Sequence, residues 1–238
     1  MKITIFGASG GTGQHLVEQA LAAGHEVTAV VRDLARFSPP TTCADPAHAD
    51  LAGGNPPRAD PAGAGRIGGQ GALAVVRADV MDPAAIAPLV AGRDAVISAL
   101  GPRRRTKEPV CAPGATSIIA AMGRTDARRL VVVTASGHVI DPADDFATRY
   151  LAKPILRRLL RRAFADLTAT DVLVTASGLD WTILRPSRLT NGGRKPYRTA
   201  VDHTVSGGFS ISRTDLATAT LAAALDPATI GHAVAVGY

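Results

Sequence analysis

Seven consecutive positions near the start, Gly7-Ala8-Ser9-Gly10-Gly11-Thr12-Gly13, restrict the architecture more than any other part of the chain. They follow Lys2–Phe6, an apolar, β-branched run of strand length, and lead into a helix expected over Thr12–Ala23. There Leu16, Val17, Ala20 and Leu21 recur on one stripe, and Gly24 stands at the C′ position that ends it. A strand that turns through glycines straight into a helix leaves the helix's first N–H groups unpaired, and the helix dipole makes that end attractive to anions. Side chains would block an anion's approach to this backbone, so glycines occupy the turn, the last one letting helix and strand pack closely. In this strand–loop–helix context the spacing G-x-x-G-x-x-G predicts a dinucleotide whose diphosphate is held by Gly7, Ser9, Gly10, Gly11, Thr12 and Gly13.

The remaining pattern alternates short β-rich runs with helical ones, the mark of a parallel sheet covered on both faces. Strands are expected at Glu26–Val31, Ala72–Arg77, Ala95–Ala99, Leu130–Thr134, Trp181–Arg185 and His232–Val236, and helices at Asp82–Val90 and Pro113–Met122. Ser212-Arg213-Thr214-Asp215 is a capping-box pattern heading a helix to about Leu225. The expected fold is α/β: a doubly wound Rossmann sheet in one domain over residues 1–238, with a small C-terminal substrate-binding region. At 238 residues and 46% hydrophobic composition, a single sizeable core is feasible. Ser38–Gly71, with six prolines, seven glycines and no apolar period, reads as a flexible insertion between the second and third strands. Pro154–Phe164 alternates apolar and basic pairs every four residues, a crossover helix with one apolar stripe.

Composition narrows the partners. No apolar stretch suits a membrane span, and the N-terminal run lacks the length and cleavage site of a secretory signal, so a soluble, cytoplasmic protein is expected. Cys43 and Cys111 form neither a disulfide framework nor a metal-ligand spacing, so no metal is expected. The net charge of +6 comes mostly from arginine, and none of the nine aromatics interleaves with a basic run. That excess is therefore read as compositional, with no nucleic-acid partner expected and the protein a monomer or homodimer.

At the end of the second strand, Val30-Val31-Arg32-Asp33 offers two readings. Arg32 is a planar cation suited to a 2′-phosphate and favours NADP; alternatively Arg32 is solvated and Asp33 takes the ribose hydroxyls of NAD. Arg103-Arg104-Arg105, after the fourth strand, are either attractors of phosphate or acidic substrate or a solvated run.

Taken together, the glycine loop, Ala78-Asp79-Val80, Ala95–Gly101, Val131–Ser136, Ser177–Pro186 and Ile211–Ala217 resemble the atypical short-chain dehydrogenase/reductase families. The similarity is to the NmrA-like NAD(P)-binding proteins and the biliverdin reductase B (flavin reductase) type. The resemblance implies that Asp79 and Val80 flank the adenine, and that Leu100, Gly101 and Arg103 run beside the ribose and diphosphate. It also implies that Thr134, Ser136 and Pro186 lie near the nicotinamide. The Tyr-x-x-x-Lys pair of typical members is missing: Tyr150-Leu151-Ala152-Lys153 is one residue short, and Pro154 occupies the lysine's place.

Hydride transfer needs only a nicotinamide face held against an acceptor. A protein acid is required when a localised alkoxide forms, whereas flavins, linear tetrapyrroles and quinones spread the arriving charge. The expectation is thus an NADPH-dependent reductase of a conjugated acceptor. Ser136 is its hydrogen-bond donor and His138 its alternative proton source, against a structural hydroxyl and a loop histidine; Tyr150 is a weaker acid candidate. The substrate pocket is expected from 187–211, a Gly/Pro-rich loop with Arg188 and Tyr197. The competing reading is a non-catalytic NmrA-like redox sensor that binds NADP and docks on a partner.

Overall fold

A computed structural model describes residues 1–40, 47–50, 71–101, 108–139, 141 and 158–238. In chain order these form β1 (Lys2–Phe6), α1 (Gly11–Ala22), β2 (Glu26–Val31), β3 (Ala47–Asp50), β4 (Leu73–Arg77), α2 (Pro83–Val90), β5 (Ala95–Ser98) and α3 (Cys111–Met122). There follow β6 (Arg129–Val133), α4 (Arg161–Thr175), β7 (Asp180–Pro186), β8 (Arg188–Thr190), β9 (Arg198–Val201), β10 (Ser210–Ser212), α5 (Arg213–Leu225) and β11 (His232–Gly237). Nine strands make one sheet in the order β3-β4-β2-β1-β5-β6-β7-β11-β9, parallel throughout except for the β11–β9 edge pair. The doubly wound Rossmann fold expected from the sequence is the fold observed.

Period-two alternation divides each central strand between two cores. Ile3 and Ile5 of β1, and Val27, Ala29 and Val31 of β2, face α1 and α5. Phe6 and Val30 face the opposite layer of α2, α3 and α4, where Ile86, Ile118 and Val174 are fully buried. α1 ends as its sequence foretells: Gly24 takes φ +80°, its N–H donates to the Leu21 carbonyl at 2.9 Å and that of His25 to the Ala20 carbonyl at 3.0 Å. This is the paired closure of a Schellman motif. No described helix is long and apolar enough to cross a membrane.

Some boundaries differ from the sequence reading. α3 starts at Cys111 rather than Pro113, because Asp166 of α4 supplies its cap from 54 to 56 residues away in the chain. The Asp166 carboxylate accepts the N–H groups of Val110, Cys111 and Ala112 at 2.9, 2.9 and 2.8 Å. The 187–211 stretch is not only loop, since β8, β9 and β10 lie in it and β8 pairs in parallel with β10. The 38–71 stretch contains β3, the edge strand, which pairs with β4; residues 41–46 and 51–70 lie outside the described residues. Backbone ladders, rather than an apolar period, define these short strands. Of the amphipathic segment at 154–164, residues 154–157 lie outside the described residues, and α4 is regular from Arg161.

Candidate functional site

The strand order reverses between β1 and β5, and ligands of such sheets bind beyond the carboxyl ends at that reversal. The glycine loop opens into this cleft. Gly7 has φ +78°, and a Cβ there would stand 2.7 Å from the Ala99 carbonyl oxygen on β5's trailing segment. A Cβ at Gly13 would collide with the Gly7 carbonyl oxygen and lie 2.8 Å from the Ala8 Cα. The Gly10 N–H closes the turn on the Gly7 carbonyl at 2.9 Å, and no side chain caps α1. The helix's first-turn N–H groups therefore point into a glycine-lined hollow with no side-chain acceptor, the arrangement a diphosphate fits.

Other predicted residues take up definite places. Ser9, Arg32, Val80, Leu100 and Gly101 line the same cleft as Gly7 and Gly10. Asp33 does not turn toward it: one carboxylate oxygen accepts the Ala35 N–H at 3.0 Å and the other pairs with Arg36 at 3.3 Å. Asp79 is exposed and likewise engaged locally, accepting the Met81 N–H at 3.0 Å. Arg103 and Tyr150 lie outside the described residues.

Beyond the carboxyl end of β6, the backbone ladder continues past the strand proper. The Thr134 N–H donates to the Leu184 carbonyl at 2.8 Å and the Ser136 N–H to the Pro186 carbonyl at 2.9 Å. Ser136 and Pro186, on different strands, are thereby fixed side by side, and Ser136 is half-buried. The Thr134 hydroxyl is buried without a hydrogen-bond partner. His138 is no loose loop histidine: it is 6% exposed, with Nε2 2.9 Å from Asp171 Oδ2 and its ring 6.2 Å from Phe164. Arg185 Nη2 donates to the same Asp171 oxygen at 2.8 Å, so one carboxylate on α4 lies between a histidine and a guanidinium. His138 Nδ1, Asp171 Oδ1 and Arg185 Nε are buried and unpartnered. Such a cluster is electrostatically costly unless further polar groups complete it.

Arg188 is exposed on β8, while Tyr197 packs against the α1/α5 core. Burial, and secondarily Asp215, push the Tyr197 phenol above its usual pKa, so it stays protonated near neutrality. No described contact joins either residue to Ser136.

Sequence reasoning missed Asp171, Arg185 and Arg213. The first two lack any local motif, since they meet His138 only through the packing of α4 on β7. Arg213 falls inside the capping-box pattern, yet its side chain crosses to the glycine loop beside Gly11.

The chain resembles several solved structures over its whole length. An oxidoreductase from Lactococcus lactis superposes with TM-score 0.74 at 18% identity, covering 100% of this chain and 90% of that one. A short-chain dehydrogenase/reductase of Veillonella parvula, solved with NADP, gives 0.73 at 21% identity and covers 100% and 94%. A candidate NADH-flavin reductase of Streptococcus pneumoniae gives 0.71 at 20% identity and covers 100% and 99%. At these identities the likeness establishes the fold. The family model described as NAD(P)H-binding matches residues 7–56 and 57–227, the break falling inside the 38–71 stretch. With the glycine cradle at the sheet's reversal point and this match from residue 7 to residue 227, the chain belongs to the NAD(P)H-binding family.

Proposed function

We propose that the protein is an NADPH-dependent reductase of a conjugated acceptor, of flavin, tetrapyrrole or quinone type, and an atypical short-chain dehydrogenase/reductase. The observation that carries this is α4, which contains neither tyrosine nor lysine between Arg161 and Thr175. A ketone reductase needs an acid for its alkoxide. An acceptor that delocalises charge does not.

A bound NADPH would supply the hydride; the chain's own residues do the rest. The glycine loop holds the diphosphate. Arg32 holds the 2′-phosphate, a choice favoured because both oxygens of the competing Asp33 are engaged with Ala35 and Arg36. Ser136, fixed to Pro186 through its own N–H, offers its hydroxyl to a polar atom of the acceptor. His138, braced by Asp171, steadies the turn after β6 and is the nearest protein proton source to Ser136 in sequence. Support for a reductase also comes from the names of the NADP-bound and flavin-reductase-like neighbours.

The test is consumption of NADPH by the purified protein with FMN, biliverdin and quinones as acceptors. Turnover with at least one is expected, together with a fall of about 10- to 100-fold in the NADPH-over-NADH preference for Arg32→Ala. Tight NADPH binding with no acceptor reduced would replace this reading with that of a redox sensor.

A further inference from the structure

Resting on the dinucleotide reading above, we propose that Arg213 binds the diphosphate of the coenzyme, reaching the glycine loop from α5 and steadied there by Asn191. Gly11 is the first residue of α1, and a Cβ on it would stand 2.8 Å from Arg213 Cδ and 3.1 Å from its Nε. The glycine at position 11 thus serves more than backbone approach, because any side chain there would occupy the space that the arginine stem fills. The guanidinium is anchored at one end only, Nη1 donating to the Asn191 side-chain oxygen. No described carboxylate forms an ion pair with it.

Arg213 is also the first residue of α5, so the positive ends of two helices and a fixed cation converge on one spot. Cations are disfavoured at helix N-termini; Asp215 offsets the end of α5 but is engaged with Ser212, Lys195 and Tyr238, so an anion on the glycine loop is what balances Arg213 beside α1. A diphosphate carries the matching charge, and a guanidinium's planar fork matches phosphate oxygens in a way that an ammonium does not. Asn191 follows β8, in the stretch proposed to face the substrate. The contact therefore ties coenzyme binding to the position of that stretch.

Calorimetric titration of the full-length protein with NADPH, 2′-phospho-ADP-ribose and 2′,5′-ADP tests the assignment. The last of these ligands keeps the 2′-phosphate but ends at a single 5′-phosphate. Arg213→Gln is expected to weaken the two diphosphate ligands by about 10- to 100-fold and 2′,5′-ADP by no more than about 3-fold. Arg213→Lys should recover part of the loss, and Asn191→Ala should lose about 2- to 5-fold. The unliganded melting temperature of Arg213→Gln should equal or exceed that of the wild type, since a cation leaves two helix N-termini. Unchanged NADPH affinity, or equal losses for all three ligands with a lowered unliganded melting temperature, overturns the proposal. Should Arg213→Gln fail to fold, unchanged affinity in both Arg213→Lys and Asn191→Ala overturns it. If wild-type protein binds none of the ligands, the dinucleotide reading itself falls, a result distinct from wild-type binding that Arg213→Gln leaves intact.

Discussion

Single residues shape the proposed coenzyme cradle, and glycine is required at two of them for different reasons. Gly7 needs the left-handed region, at φ +78°, whereas Gly13 needs the absence of a Cβ where its neighbours are backbone atoms that cannot step aside. Gly13→Ala should therefore cost about 3 kcal/mol of stability through overpacking and remove measurable NADPH binding, read by chemical denaturation and titration. Wild-type stability together with wild-type affinity would contradict the geometry. The Gly13 role was legible in the sequence because its neighbours Gly7 and Ala8 lie close in the chain, whereas the approach of Gly7 to Ala99 was not. His138 was legible only as a candidate: its partner Asp171 is 33 positions away, Arg185, which shares that carboxylate, is 14 positions beyond Asp171, and no local pattern announces them.

Elements are held in register by carboxylates reaching across helices. Asp166 caps α3 from α4 through three N–H groups, and Asp215 of α5 accepts from the Ser212 hydroxyl, the Lys195 N–H and the Tyr238 hydroxyl. The sequence revealed Ser212–Asp215 as a local cap but not its links to Lys195 and Tyr238. Replacing Asp166 with Ala leaves three N–H groups at a mostly buried helix end, and about 3 kcal/mol of stability should be lost in denaturant unfolding. A loss below about 1 kcal/mol would mean that water or another group serves α3 equally well. The same end of α3 holds Cys111, whose thiol is pushed up to about 12 by burial and, less strongly, by Asp166. The folded thiol thus stays protonated where the unfolded one, at 9.0, ionises. Its contribution to stability is complete below pH 9.0 and is lost as pH rises toward about 12. Cys111→Ala should flatten that alkaline limb, and wild-type Cys111 should resist alkylation at pH 8 until the protein unfolds; rapid labelling of the native state would refute the burial.

Among the described residues a nine-stranded sheet is sandwiched by two helical layers, with β8 and β10 as a second, two-stranded sheet, and the cleft exists because the winding reverses between β1 and β5. A coenzyme bound there, as proposed, would touch the ends of several strands, so binding is expected to stabilise the entire domain cooperatively. At a free NADPH concentration of 100 times the dissociation constant, stability should rise by about 2.7 kcal/mol, seen as a single melting transition at higher temperature. Two transitions, with only one shifted, would show that the C-terminal region folds apart from the coenzyme-binding half.

The sequence alone determined the parallel architecture, the glycine loop proposed to hold a diphosphate and most central strands, because β-branched runs and glycine spacing act over a few neighbouring residues. Only the tertiary structure decided that Asp33 is occupied, that His138 is locked against Asp171, that Arg213 leans on Gly11 and that 187–211 contains paired strands. The Asp33 contacts are with near neighbours but are set by side-chain conformation, whereas the others depend on segments far apart in the chain, whose energies have no counterpart in local pattern.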